Sequence, residues 1–224
     1  MAKRRTTSQR SELIFDIHNF NINADTRELF LQPSYDVENE EAEIDHRMAT
    51  TLIKNMRFLD SQDDKPIIIH MCSCGGSWEY GLAIYDVISM SKSVVYLIAY
   101  GYASSMSSIV LQAADCRIMS KNAYFMLHDG YDFWDGTSKG LVTHAEEASK
   151  ATEKMINIYL EKCRQGPYFK QKDMTDARIK KFIRNKIDSK QEWYLSPNEA
   201  IEHGFADYIL EDNYQNIEEM INPE

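Results

Sequence analysis

The chain has 224 residues, 43% of them hydrophobic and 27% charged, enough for a single domain with a substantial buried core. Its net charge of −10 argues against general affinity for nucleic acid, whose phosphates demand a basic face. No membrane span is expected, because runs such as Val94-Val-Tyr-Leu-Ile-Ala-Tyr100 fall far short of the ~20 apolar residues one requires.

Residues 1–12 are polar and basic without periodicity, which predicts a mobile tail ahead of one domain over 13–224. Lys3-Arg-Arg5 leads into polar residues rather than the apolar stretch of a secretory signal, and Cys72, Cys74, Cys116 and Cys163 form no dense disulfide framework. Both point to the cytoplasm. Glu28-Leu-Phe-Leu-Gln32 reads as a short strand, and the acidic stretch over 36–45 as a surface segment leading into a helix. Over 45–60, Met48, Leu52, Met56 and Leu59 recur at spacings of three and four, the mark of one buried helical stripe. Pro66-Ile-Ile-Ile-His-Met71 is a β-branched run of the kind found in a sheet buried on both faces.

A glycine-rich turn then opens a helix whose apolar positions are Ile84, Val87 and Ile88, and residues 94–99 read as the next strand. A helix over 104–114 and short strands over 117–119 and 123–127 follow. Strands alternating with helices predict an α/β layered domain with right-handed crossovers. Residues 140–163 form a long, mostly polar run, longer than one core requires. It reads either as a helix projecting toward another subunit or as a solvent-exposed surface helix. The basic cluster over 178–190 is interrupted by Phe182, Ile183 and Ile187 at roughly helical spacing, which favours a solvated helix face over a nucleic-acid patch. Ser196-Pro-Asn-Glu-Ala starts a short helix that stops at Gly204.

The chemistry concentrates in Gly101-Tyr-Ala-Ser-Ser-Met-Ser-Ser108, where serines stand between an apolar run and a helix. Such a turn is commonly no more than a helix cap. Its company points further: Ser73-Cys-Gly-Gly76 follows one strand-like run and His128 ends another. A serine nucleophile needs a histidine to take its proton, a carboxylate to orient that histidine, and two N–H donors facing the developing oxyanion. Ser105 followed directly by a helix puts the Met106 amide at a helix N-terminus, where unpaired donors gather. The Gly75-Gly76 turn lets backbone approach a substrate without side-chain obstruction. Ser104, Ser107 and Ser108 compete with Ser105; the alternative for His128 is a buried structural histidine, against which its strand-end setting weighs, and His144 reads as structural. Cys72 and Cys74 lack a second ligand pair, so no zinc site is expected.

Five ordered blocks carry a family resemblance: Ser73-Cys-Gly-Gly-Ser77, Gly81-Leu-Ala-Ile-Tyr-Asp86, Gly101-Tyr-Ala-Ser-Ser-Met106, Met126-Leu-His128, and Tyr194-Leu-Ser-Pro-Asn-Glu-Ala200 with Gly204-Phe-Ala-Asp207. In this order they resemble the proteolytic subunits of the Clp proteases, over about residues 28–210. The resemblance implies a Clp/crotonase-like fold of repeated strand-strand-helix units with a protruding helix near 138–163. It also implies a serine endopeptidase that forms stacked homo-oligomeric rings and cleaves unfolded polypeptide. An AAA+ unfoldase that consumes ATP would feed it, with no cofactor bound by this chain. Carried over, Ser105 is the nucleophile, His128 the general base, Gly76 and Met106 the oxyanion-hole donors, and Gly75 part of the substrate-binding strand. Where the family has an aspartate as third member this chain has Glu192, with Asp188 as the competing acid. Alternatives on the same resemblance are a catalytically silent ring subunit, a phage-type protease that processes capsid proteins, and a crotonase-like enzyme acting on acyl thioesters.

Overall fold

Residues 6–31, 43–131 and 133–210 are described by the computed structural model of the chain. Helix α1 (Thr7–Phe20) begins within the stretch expected to be a mobile tail, because Thr6 and Gln9 form a reciprocal capping box that the lack of periodicity conceals. Residues 1–5 lie outside the described residues, as do Gln32 and most of the acidic stretch over 36–45. Strands β1 (Ile22–Asn23) and β2 (Glu28–Leu31) pair antiparallel. Helix α2 (His46–Gln62) is capped by Asp45, whose Oδ1 accepts from the N–H groups of Arg47 and Met48, each at 2.9 Å. Its buried stripe of Met48, Leu52, Met56 and Leu59 is the one its spacing predicts.

Three strand-and-helix steps follow: β3 (Ile67–Ser73) into α3 (Trp78–Ser89), β4 (Val95–Ser104) into α4 (Met106–Leu111), then β5 (Cys116–Ser120) and β6 (Tyr124–His128) into α5 (Ser138–Cys163). Helices α6 (Pro167–Gln171) and α7 (Asp176–Lys190), strand β7 (Glu192–Leu195), helix α8 (Pro197–Glu202) and strand β8 (Tyr208–Leu210) complete the order. Among the described residues the strands make one mixed sheet in the order β1-β2-β3-β4-β5-β8, with β6 and β7 branching from β4.

The branch is what builds the site. Tyr96 to Ala99 of β4 pair with β5, whereas Tyr102 to Ser104 pair with β6. Between these segments the β3–β4 register jumps from Met71 opposite Ala99 to Ser73 opposite Ala103, a bulge around Gly101. Strand β4 therefore extends to Ser104, and α4 is shorter than the expected 104–114 helix. Residues 112–114 continue instead as tight turns, each N–H donating to the carbonyl three residues back.

Among the described residues, helices cover only one face of this sheet. Ile67, Ile69 and Met71 of β3 enter the main core with the helix stripes, but Ile68, His70 and Cys72 on the other face are only half-buried. The expectation of burial on both faces fails for that reason. The open face holds Ile98 and Ile118 under a partly exposed surround of Ile68, Tyr96, Tyr100, Cys116 and Leu210. Helix α5 is divided in the same way: Met155, Ile156, Ile158, Tyr159, Leu160 and Cys163 are buried in its last third, while Leu141 and Val142 near its start are exposed. At 26 residues it is roughly 39 Å long, so its first turns project beyond the core. Helix α7 buries Ile179, Ile183 and Ile187 on one side and buries none of its basic residues, of which Arg178, Lys181 and Lys190 are exposed and Lys180, Arg184 and Lys186 half-buried. No helix among the described residues is long and apolar enough to cross a membrane.

Asp207 serves the fold. Its carboxylate accepts from Arg117 Nε at 2.9 Å and Nη2 at 2.5 Å, tying the end of the α8–β8 segment to β5. The Arg117 side chain is 9% exposed and also donates to Gln112 Oε1 and the Gly204 carbonyl. Asp207→Ala would leave a buried guanidinium without its counter-charge. It is expected to destabilise the fold by about 3 kcal/mol or more, read as a lowered urea midpoint.

Candidate active site

Ser105 occupies the turn where β4 meets α4, with φ 53° and ψ −127°, a backbone conformation that costs an L-residue roughly 1–3 kcal/mol. The surroundings fix it from both sides. Its N–H donates to the Met126 carbonyl at 3.0 Å, and its own carbonyl accepts from Ser108 N–H at 3.0 Å and Ser108 Oγ at 2.6 Å. Because Ser108 commits its one hydroxyl proton there, the Tyr159 hydroxyl 2.7 Å away is the donor to Ser108 Oγ. Burial pushes the Tyr159 phenol well above its ordinary range, so it keeps that proton.

The neighbouring hydroxyls are thereby accounted for. Ser107 Oγ lies 2.5 Å from the Ser73 carbonyl and 2.7 Å from that of Ser104, and accepts from Ser104 N–H, locking the end of β3 to the turn. Ser104 Oγ is buried and has no hydrogen-bond partner among the described residues. Ser105 alone of the four is partly exposed, and its Oγ lies 2.6 Å from His128 Nε2. A hydroxyl at that distance from an imidazole nitrogen can pass its proton to it as a bond forms to carbon.

His128 ends β6 and is half-buried. Burial lowers its pKa below the ordinary 6.5, opposed by the negative charges of Glu192 and Asp129. The imidazole is therefore neutral, and able to accept a proton, at neutral pH. A cleft of about 240 Å³ opens beside it, lined by Asp129, Tyr131, Ile187, Asp188 and Gln191.

Glu192 stands directly opposite His128 in the antiparallel β6–β7 register, so both side chains rise from the same face. Its carboxylate does not bond the imidazole. Oε2 accepts from Tyr194 Oη at 2.9 Å, and Oε1 lies 3.5 Å from Tyr131 Oη, whose ring packs edge-on against His128 with centroids 5.5 Å apart. Asp188 shares the cleft but makes no hydrogen bond to His128, and it is the charges of Glu192 and Asp129 that act on the imidazole.

The glycine segment completes the arrangement. Ile44 N–H donates to the Gly75 carbonyl at 2.6 Å and Ser77 N–H to the Ile44 carbonyl at 3.0 Å, a single parallel bridge centred on Gly76. In such a bridge the groups of Gly76 itself turn to the opposite edge. Among the described residues, neither Gly76 N–H nor Met106 N–H has an acceptor. A Cβ on Gly75 would fall 2.7 Å from Ser105 Cβ and 3.1 Å from Met106 N, so the segment lies flat against the serine turn. Two available amides beside a serine hydroxyl are what a tetrahedral oxyanion requires.

The residues picked out by sequence therefore converge, with Glu192 adjacent rather than bonded. A family model described as Clp protease matches residues 39–213. The chain belongs to the Clp protease family. As a member of the Clp protease family it is a peptidase. An ATP-dependent Clp protease proteolytic subunit from Streptococcus mutans is 31% identical over 76% of this chain and 82% of that protein. One from Deinococcus radiodurans is 29% identical over 77% and 79%. A ClpP1 mutant structure from Listeria monocytogenes shares the Clp protease fold, with a TM-score of 0.66 at 23% identity, over 85% of this chain and 94% of that one. The sequence places Tyr194 only within a family block and does not single out Tyr131; the hydrogen bonds of both to Glu192 emerge from the structure. Period-two alternation along Glu192-Trp-Tyr194 was the available signal, since it puts Glu192 and Tyr194 on one face of a strand. Among the described residues, no group of three His, Cys, Asp or Glu side chains is arranged to hold a metal ion.

Proposed function

We propose that the chain is a serine endopeptidase that cleaves unfolded polypeptide through an acyl-enzyme on Ser105. The 2.6 Å approach of Ser105 Oγ to His128 Nε2 carries the proposal. His128 takes the hydroxyl proton as Oγ attacks the scissile carbonyl, then gives it to the leaving amine; water, activated by the same imidazole, releases the acyl group. Gly76 and Met106 N–H groups receive the oxyanion. Glu192 stabilises the transient imidazolium. An extended substrate pairs with the free edge of the Gly75–Gly76 segment through main-chain bonds, which makes cleavage tolerant of sequence.

The assembly is a homo-oligomer of stacked rings in the cytoplasm, supplied by an AAA+ unfoldase that hydrolyses the ATP. Two surfaces support an assembly: the half-covered sheet face around Ile98 and Ile118, and the projecting start of α5 with Leu141 and Val142 exposed. Beside that start, Tyr131 and Phe133 are 85% and 86% exposed, an unusual state for aromatic rings in a lone subunit.

A fluorophosphonate probe is the direct test. Peptide mapping is expected to find it on Ser105, and Ser105→Ala is expected to abolish labelling; unchanged labelling of that variant would sink the assignment.

The role of Glu192 has its own signature. Its charge raises the His128 pKa against burial, so Glu192→Gln is expected to move the acidic limb of the kcat/KM profile to lower pH while reducing the plateau roughly 10²-fold or more. Asp129, Asp188 and Tyr131 also face the imidazole or its cleft and are left in place in that variant. A limb that stays in place would show that the charge of another carboxylate, Asp129 first, dominates the imidazole.

A further inference from the structure

From the geometry we infer that Tyr194 is a positioning residue for Glu192, fixing one carboxylate oxygen so that the other is presented to His128. This rests on Ser105 and His128 acting as nucleophile and base. Glutamate is longer than aspartate by one methylene, and that added rotor gives the carboxylate more places to go. A short acid next to the histidine is oriented largely by its backbone; a longer one needs a second hold.

Strand β7 supplies that hold. Tyr194 follows Glu192 by two residues, so both side chains share a face, and its phenol donates to Oε2 at 2.9 Å. That leaves Oε1, which lies on the side of Tyr131 and hence of the His128 ring packed against Tyr131. The phenol is a dependable donor, since the bond to Glu192 is the largest influence raising the Tyr194 pKa above its ordinary 10.

Tyr194 is itself braced, although it is 52% exposed. Its ring meets that of Tyr124 at 5.5 Å, and Tyr124 meets Tyr102 at 5.8 Å, a ladder across β7, β6 and β4. Tyr102 and Tyr124 are direct register partners on the strands that deliver Ser105 and His128. The ladder thus references the acid's position to the same two strands that carry the nucleophile and the base. In this inference Oε1 exchanges the long 3.5 Å contact with Tyr131 Oη for His128 Nδ1 while Tyr194 keeps Oε2.

Tyr194→Phe keeps the ring and its place in the ladder and removes only the donor. The full-length assembled enzyme, assayed on an unstructured fluorogenic peptide, is expected to lose about tenfold in kcat with KM within twofold. Fluorophosphonate labelling of Ser105 is expected to slow in parallel. In a Glu192→Gln background the same change is expected to cost less than twofold further, because its target is already gone. Wild-type kcat in Tyr194→Phe, or the same tenfold loss in the Glu192→Gln background, overturns the inference while leaving Ser105 in place. Turnover surviving in Ser105→Ala would instead remove the reading beneath it.

Discussion

Ser105→Ala is expected to lower kcat on an unstructured peptide by on the order of 10⁴-fold or more, leaving only what backbone donors and substrate binding achieve without a nucleophile. No neighbouring hydroxyl can substitute. Ser107 is committed to the Ser73 and Ser104 carbonyls, Ser108 to the Ser105 carbonyl, and Ser104 is buried. Stability should move with the backbone rather than the hydroxyl. At φ 53° and ψ −127° alanine is strained as serine is, whereas glycine adopts the conformation freely. Relief of roughly 1–3 kcal/mol is set against roughly 0.5–1 kcal/mol of extra chain entropy lost by glycine on folding. Ser105→Gly should therefore be inactive yet more stable than Ser105→Ala, by about 1 kcal/mol in urea unfolding. Equal midpoints would mean that the turn stores no strain.

The local elements of this architecture were legible in the chain because their cause is local. The α2 stripe follows from the spacing of Met48, Leu52, Met56 and Leu59, and the α8 start from the Ser196 and Glu199 capping box with Pro197 at its first position. What escaped is non-local. Strand β7 is four residues whose only warrant is pairing with β6, and the switch of β4 from β5 to β6 cannot be seen in β4 alone. The extension of β4 to Ser104 is what shortens α4.

The site divides along the same line. Which of four adjacent serines faces His128 is undecidable from their spacing, and family blocks singled out Ser105; the structure supplies the reason in the bonds that occupy the others. Glu192 was identifiable by its place before Trp193 and Tyr194. The orientation of its carboxylate was not, because that depends on a phenol two residues along and on Tyr131, 61 positions away in the chain.

Gly75→Ala and Gly76→Ala are adjacent substitutions with separable expected outcomes. Both positions hold positive φ, 119° and 134°, so any side chain there is strained before contacts are considered. The contacts then differ. A Cβ at residue 75 falls 2.7 Å from Ser105 Cβ and 2.9 Å from the Ser104 carbonyl, which presses on the nucleophile's own turn. At residue 76 it falls 2.4 Å from Ile44 N and 2.7 Å from Ile44 O, the same backbone atoms that clasp the segment leading into α2. Ser105 is held by bonds to Met126 and Ser108, so the pressure from residue 75 is met by displacing Oγ from His128 rather than by unfolding. A misplacement of about 1 Å at a reacting atom costs on the order of 10²-fold in rate. Gly75→Ala is thus expected to lose about 10²-fold in kcat and in the rate of fluorophosphonate labelling, with a stability loss limited to the backbone strain that both substitutions share, roughly 1–3 kcal/mol. Gly76→Ala must break the backbone hydrogen bonds made by Ile44 N–H and Ile44 carbonyl, or twist the peptide that offers the oxyanion donor. It is expected to lose roughly 10²–10³-fold in kcat together with about 2 kcal/mol or more of stability beyond that shared strain. Labelling rate and unfolding midpoint, measured on both variants, separate them: a Gly76→Ala protein as stable as wild type would mean that the Ile44 clasp does not hold this segment.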